Sequence, residues 1–176
     1  MRSIRICLYA FLATALVLSI HGFAKAQIPL VTAPSAVSVG LFLPSSSDAK
    51  NAGGSSQLYV SAQYGLPVNV PLTPTRTVVT LEGEFGTHGG QHSNIIPLTI
   101  GEYVGASGKS PFASQNVYAG IGAGVYLENI GSDSSTGQVG GYGVIGYNIG
   151  AGFFVQAKYQ VVKSANGPIV SVGSRF

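Results

Sequence analysis

Apolar side chains recur at every second position along eight separate segments of this chain. The most regular segment is 115–128, where Val117 and Ile121 alternate with Gly120 and Gly124. Because strand side chains point alternately to the two faces of a sheet, a period of two indicates strands with one apolar face. The predicted strands are 36–43, 57–66, 76–86, 94–104, 115–128, 138–149, 152–162 and 167–176.

The overall composition adds a second constraint, because only 9% of the residues are charged. A typical soluble domain has about 25% charged residues. After residue 26 there is no apolar run of about 18 residues, which excludes membrane-spanning helices. A strand needs about 9 to 11 residues to cross a bilayer at a tilt, and the predicted strands bracket that length. An even number of such alternating strands is typical of membrane barrels. The sequence therefore predicts an all-β protein, an eight-stranded antiparallel up-and-down transmembrane β-barrel.

The first 26 residues have the three parts of a secretory signal peptide. Arg2 and Arg5 form the positive start, residues 6–20 form the apolar run, and a small-x-small cleavage site ends at Ala26. The predicted organisation is a signal peptide at 1–26, a lead-in at 27–35 and a barrel domain at 36–176. Cys7 lies within the signal, so the exported chain has no thiol for a disulfide or a metal.

The basic excess of the chain belongs to this leader. Of nine Lys and Arg residues, Arg2, Arg5 and Lys25 precede the cleavage site, which leaves six against the six Asp and Glu residues. A balanced charge does not favour a nucleic-acid partner. No motif predicts a cofactor or a metal site.

Three finer expectations concern the loops and the glycines. The polar segments 44–56 and 87–93 are predicted to be loops, the first of them flexible. Pro97 is a flaw in strand 94–104, because proline lacks a ladder donor. The alternate glycines of 115–128 leave one face bare, which makes room for large side chains from opposing strands.

The combined pattern resembles a known superfamily. The signal peptide, the eight strands, the segments NVYAGIGAGVYLEN and GGYGVIGYNIGAGFFVQAKYQ, and the final VGSRF are similar to small OmpA-like and opacity-type outer-membrane β-barrel proteins. This resemblance implies location in a bacterial outer membrane, contact with its lipid bilayer, and recognition by the barrel-assembly machinery. It implies a fold and a location more firmly than an activity.

The last strand carries the predicted assembly signal. Val170, Val172 and Phe176 share one face of 167–176, and an aromatic final residue resembles the C-terminal signal of outer-membrane barrels. We expect this strand to pair with 36–43 and close the barrel, since a closed sheet leaves no edge in hydrocarbon.

Four charged residues fall on the polar face of their strands: Glu82, Glu84, Lys158 and Arg175. In a barrel with Val, Leu and Ile facing lipid, these residues face the lumen. They are candidates for ion pairs, because an unpaired dry charge costs several kcal/mol. The preferred interpretation is a plug of ion pairs, and the alternative is a narrow ion path.

His88, His92 and Ser93 are the remaining candidates for chemistry. Outer-membrane lipid A deacylases use His, Ser and an acidic residue, but their His-x-Ser spacing is absent here, because Asn94 stands two residues after His92. Adjacent side chains on a strand point to opposite faces. The two histidines also lack the further ligands of a zinc site.

The expected function is that of a non-enzymatic outer-membrane barrel with a structural or surface-interaction role. Three alternatives stay open: a narrow channel for ions or small solutes, a lipid A-modifying enzyme, and a soluble periplasmic ligand-binding barrel. Any extracellular ligand is unidentified by the sequence.

Overall fold

The structure is a computed structural model that describes residues 35–66, 75–106, 110–131, 135–150 and 152–176. Eight strands follow one another around a closed antiparallel barrel, each paired with its neighbours in the chain, and the last pairs with the first. The strands are β1 Ser35–Phe42, β2 Gln57–Gly65, β3 Thr75–His88, β4 Gln91–Gly105, β5 Val117–Gly131, β6 Thr136–Gly150, β7 Phe153–Val161 and β8 Gly167–Arg175. The predicted fold class is confirmed. The predicted signal peptide and residues 27–34 lie outside the described residues.

β8 closes the barrel onto β1 as predicted, with Val172 opposite Val39 and Arg175 opposite Ala36. The two ends of the barrel are named here by what they carry. The terminal end holds Ser35, Phe176 and the connection 110–116. The helix end holds residues 43–56, the turn at Gly89 and Gly90, and residues 162–166.

The segment 44–56 is ordered, and its prediction as a flexible loop is wrong. It contains one short helix, α1 Ser47–Gly53, in which Ala49 and Ala52 are buried. α1 packs against β3, β4 and β5, and the Gln57 side-chain amide donates to the Ala49 carbonyl at 2.9 Å. Its small side chains allow close contact with the barrel rim, which polar composition alone does not indicate.

The predicted loop at 87–93 is also wrong. β3 continues to His88 and β4 begins at Gln91, so only Gly89 and Gly90 form the turn. Both glycines have positive φ, of 60° and 85°. Two such residues match the twist of a tight hairpin, which glycine adopts without steric cost.

Pro97 lies inside β4, and the strand continues through it from Gln91 to Gly105. The β3–β4 ladder is interrupted at this point, since its pairs pass from Leu81 with Leu98 to Glu84 with Ile95. The missing proline donor therefore falls where that ladder has no pair.

Candidate functional site

The interior of the barrel is built around one buried ion pair. The Lys158 ammonium on β7 donates to both carboxylate oxygens of Glu82 on β3, at 2.5 Å each, and both side chains are 2% exposed. The ring of Tyr142 on β6 lies 4.2 Å below the ammonium. A carboxylate and an aromatic face together compensate the charge of a lysine removed from water.

Glu84 lies next to this pair but has a different partner. Its Oε2 accepts from the Gln160 side-chain amide at 2.9 Å, and the same amide also donates to the Ala165 carbonyl at 2.9 Å. Glu84 is therefore linked through Gln160 to the turn at the helix end, whereas Lys158 is bonded to Glu82.

Arg175 is separate from these three residues, which corrects its predicted ion-pair role. Its guanidinium lies over the rings of Phe154 at 4.1 Å, Phe112 at 4.8 Å and Tyr118 at 5.1 Å, and donates to the Asn148 amide oxygen. The physical reason is the position of these residues along the barrel axis. Arg175 ends β8 at the terminal end, whereas Glu82 and Glu84 lie further along β3, toward the helix end.

Large aromatic side chains fill the rest of the lumen. Tyr103, Tyr118 and Tyr142 each stand directly across from a glycine on the neighbouring strand, at Gly120, Gly146 and Gly122. A Cβ atom at Gly122 would lie 2.5 Å from the Tyr142 ring. The glycines thus make room for large residues, as predicted, but these come from neighbouring strands and not from opposing ones. The ring covers the bare backbone beside it.

Both ends of the lumen are covered by connections. At the helix end, the Ser46 hydroxyl donates to the Ser164 carbonyl at 2.6 Å, and the Ser45 amide donates to the Asn166 carbonyl at 2.7 Å. These bonds tie the segment before α1 to the turn 162–166, where Ala165 is fully buried. α1 and this turn together lie over the interior.

At the terminal end, Asn148 holds the connection 110–116 in place. Its side-chain amide donates to the Pro111 carbonyl at 2.8 Å and to the Ala113 carbonyl at 2.9 Å. Phe112 packs from this connection against the buried aromatic cluster that includes Tyr118 and Phe154. Sequence reasoning missed Asn148, because nothing local distinguishes it from the other polar residues of β6.

The histidine and serine candidates do not form a reactive group. His88 is exposed beside the hairpin turn, and the His92 Nε2 lies 2.9 Å from the Asn129 amide oxygen. Ser93 is fully buried on the opposite face of β4. Within the described residues, no group of three or more His, Cys, Asp or Glu side chains could hold a metal ion.

The outer wall of the barrel is apolar and exposed. Its large exposed side chains include Leu41, Leu81, Leu98, Ile100, Ile121, Val125, Leu127, Ile145, Val161, Val170 and Val172. Of the three assembly-signal residues, Val170 is 55%, Val172 54% and Phe176 49% exposed. Among the described residues, the structure has no helix with the length and apolar character that a membrane crossing requires.

One charged residue on this wall was missed by the sequence reasoning. Glu102 is exposed on β4 and accepts a hydrogen bond from the Thr77 hydroxyl on β3. Counting by two from Ile96 through Ile100 leads to Glu102, so the alternation itself contained the signal. Its position three residues before the end of β4 places it near the terminal rim.

Two solved structures are similar to this barrel. The crystal structure of Neisserial surface protein A (NspA) matches with a TM-score of 0.53 and 14% identity, over 81% of this chain and 94% of that one. The Yersinia pestis outer membrane protein Ail, determined in a phospholipid bilayer nanodisc, matches with a TM-score of 0.49 and 14% identity, over 82% and 99%. No family model and no curated protein matches the sequence.

At this identity the likeness to NspA concerns the fold alone. The shared fold is a closed eight-stranded antiparallel β-barrel, as the sequence predicted.

Proposed function

We propose that this protein is a non-enzymatic outer-membrane β-barrel with a structural or surface-interaction role. The observation that carries the proposal is the distribution of side chains between the two faces of the barrel. Val, Leu and Ile cover the outer wall, whereas Glu82 and Lys158 pair inside. A soluble barrel has the reverse arrangement, with apolar residues inside and charges outside. Lipid is the solvent that suits this outer wall.

Aromatic residues at the rims support the same conclusion. Tyr64, Tyr147, Phe153 and Phe176 are exposed at the terminal end of their strands. Phe85 and Tyr159 are exposed near the helix end. Outer-membrane barrels have aromatic girdles at both membrane interfaces.

The filled interior favours a structural role over a channel. Buried tyrosines and the Lys158–Glu82 pair occupy the lumen, and α1 and the connection 110–116 lie over its two ends. The separation of His92 from Ser93 likewise gives no support to a deacylase. The N-terminal signal peptide would deliver the chain for export, and Val170, Val172 and Phe176 would be recognised by the barrel-assembly machinery.

The proposal is tested by expression in a Gram-negative host, followed by fractionation and labelling with a membrane-impermeant thiol reagent. Asn51→Cys and Lys163→Cys, both exposed at the helix end, should react on intact cells. Ser114→Cys, exposed at the terminal end, is the matched control and should react only after lysis. Recovery of the protein in the soluble fraction, or labelling of Ser114→Cys alone on intact cells, would contradict the proposal.

A further inference from the structure

Glu102 differs from the other charged residues of the barrel strands in the face that it takes. Within the described strands, the remaining Asp, Glu, Lys and Arg side chains all alternate onto the inner face: Arg76, Glu82, Glu84, Glu128, Lys158 and Arg175. Glu102 instead shares the outer face of β4 with Ile100 and Val104, and it is exposed. Ionisable residues that face lipid are rare and mark a functional site by default.

The depth of Glu102 in the wall corresponds to a membrane interface. It lies three residues before Gly105, the last residue of β4, just as Tyr147 lies three residues before Gly150, the last residue of β6. Tyr147 is one of the exposed aromatic residues at the terminal end. Aromatic girdles lie at the level of the lipid headgroups. The carboxylate is therefore at headgroup depth on the terminal side of the wall.

The aromatic girdle at this end leaves room beside Glu102. Its exposed rings come from β2, β6, β7 and β8, whereas the described parts of β3, β4 and β5 contribute none at the terminal end. Val104 and Val117, each 43% exposed, stand there instead. No bulky ring on these three strands thus keeps a headgroup away from the carboxylate.

The neighbours of Glu102 form a polar head and an apolar column. On one side the Thr77 hydroxyl donates to its Oε1, and on the other side Ile121, which is 73% exposed, stands directly opposite. Toward the helix end the same face of β4 continues with Ile100 and Leu98, both more than half exposed. This order, from a carboxylate to aliphatic side chains nearer the bilayer centre, complements an amphiphile with a cationic head.

The cation for this carboxylate has to come from the surroundings. Among the described residues the one salt bridge is that of Lys158 with Glu82, inside the lumen. Arg76, which precedes Thr77 on β3, lies on the inner face by alternation.

We infer that Glu102 binds the ammonium group of a phospholipid with a primary-amine headgroup, such as phosphatidylethanolamine, in the leaflet at the terminal end. The ammonium donates a charge-assisted hydrogen bond to Oε2 while Thr77 holds Oε1, and an acyl chain lies along Ile100 and Ile121. A choline headgroup has no hydrogen to donate, and an anionic headgroup is repelled. This inference rests on the proposed membrane location and specifies a ligand of the outer wall.

A second copy of this chain is the less suitable occupant of the same wall. Two barrels that meet symmetrically at Glu102 would bring two carboxylates together, and like charges across an interface oppose association. A lipid ammonium has the opposite charge and is present at this depth in every orientation of the barrel about its axis.

The test uses protein in nanodiscs of phosphatidylcholine, in which phosphatidylethanolamine or phosphatidylglycerol replaces a rising share of the lipid. The backbone amide signals of Thr77, Glu102 and Ile121 are followed by NMR, with Val172 on the opposite side of the barrel as the internal control. We expect phosphatidylethanolamine to cause a saturable shift at the first three residues and no such shift at Val172. Phosphatidylglycerol should cause none. Absence of a saturable shift at Thr77, Glu102 and Ile121 would overturn the inference.

Two substitutions at position 102 separate the charge from the shape of the side chain. Glu102→Gln keeps the size but removes the charge, and should raise the share of phosphatidylethanolamine at half-maximal shift about fivefold, as expected for an ion pair near the surface. Glu102→Asp keeps the carboxylate and is the matched control, with an expected change below about twofold. Equal responses of the glutamine variant and the wild type would overturn the inference.

Two further outcomes identify other occupants. Self-association of the wild type that Glu102→Gln abolishes would replace the lipid by a second copy. A protein that co-purifies with the wild type and is lost from Glu102→Gln, without any response to phosphatidylethanolamine, would assign the carboxylate to a protein partner. Either result would overturn the inference and leave the membrane location intact, whereas recovery in the soluble fraction would contradict the proposed function.

Discussion

Lys158 and Arg175, two cations on the inner face of the barrel, are stabilised in different ways. Lys158, in the middle of its strand, has a carboxylate on one side and a tyrosine ring on the other. Arg175, near the terminal end, lies among three aromatic rings and an amide oxygen. A compact ammonium is strongly hydrated and needs a full opposite charge when it is buried, whereas the weakly hydrated guanidinium stacks on rings. We therefore expect the barrel to depend much more on the partner of Lys158 than on the charge of Arg175.

The largest effect should come from Lys158→Met. Removing the ammonium leaves Glu82 buried and uncompensated, which costs about 3–5 kcal/mol. The free energy of unfolding is measured in lipid vesicles by urea titration and heat-modifiable gel migration, since the chain has no tryptophan. The double variant Glu82→Met/Lys158→Met is the control and should recover most of the loss. A single variant as stable as the wild type would show that the pair does not hold the lumen together.

Gly122→Ala should have the next largest effect, by moving the ring that lies against Lys158. The added methyl group would lie 2.5 Å from the Tyr142 ring and 2.6 Å from the Ile100 carbonyl. Overpacking of this kind costs about 1–3 kcal/mol.

Gly143→Ala is the matched control on the outer face of the same sheet. A Cβ atom there has nothing within 4 Å, so the expected change in unfolding free energy is below about 0.5 kcal/mol. Similar losses for the two alanines would mean that strand propensity, and not the tyrosine contact, determines the result.

Arg175→Met should cost less, about 1–2 kcal/mol, because it removes cation–π contacts without leaving Glu82 unpaired. Arg175→Lys keeps the charge but replaces the stacked guanidinium by a strongly hydrated ammonium with no carboxylate beside it, so we expect it to be no more stable than the methionine variant. A loss as large as that of Lys158→Met in the same urea titration would remove the distinction between the two cations.

Deletion of Phe176 should change stability least among these variants, by about 1 kcal/mol. It removes an exposed ring and the two backbone bonds that Phe176 makes with Ser35. The amount of folded protein in the membrane should nevertheless fall severalfold if the residue is recognised during assembly. Normal membrane yield would contradict the predicted assembly signal. Deletion of Ala113 would not be an equivalent control, because the connection 110–116 that contains it covers the lumen.

No conductance is expected from the wild type in planar bilayers, because buried side chains fill its lumen. Lys158→Ala, which shortens a side chain at mid-barrel, should also be silent while α1 and the connection 110–116 stay in place. Single-channel conductance steps whose size changes with this substitution would favour the channel alternative.

The barrel itself could be predicted from local pattern. A period of two, read along the eight segments, placed every strand to within a few residues and grouped Glu82, Glu84 and Lys158 on the polar face, because strand geometry imposes that alternation on any sequence. Alternation alone does not decide which face is inside, and the signal peptide and the final Phe176 carried that prediction. The same rule led to closure of β8 onto β1, since an open edge is not tolerated in lipid. Alternation also identified glycine as the residue that makes room in the lumen.

Pairing between distant residues depended on the tertiary structure. Lys158 pairs with Glu82 and not with Glu84, and Arg175 lies against rings and not against carboxylates. Both outcomes follow from the relative positions, along the barrel axis, of strands that are far apart in the chain. The order in 44–56 arises in the same way, because α1 is stabilised by the barrel rim and not by its own polar sequence. Local pattern determines which face a side chain takes, whereas register and end-to-end packing determine which partner it meets there.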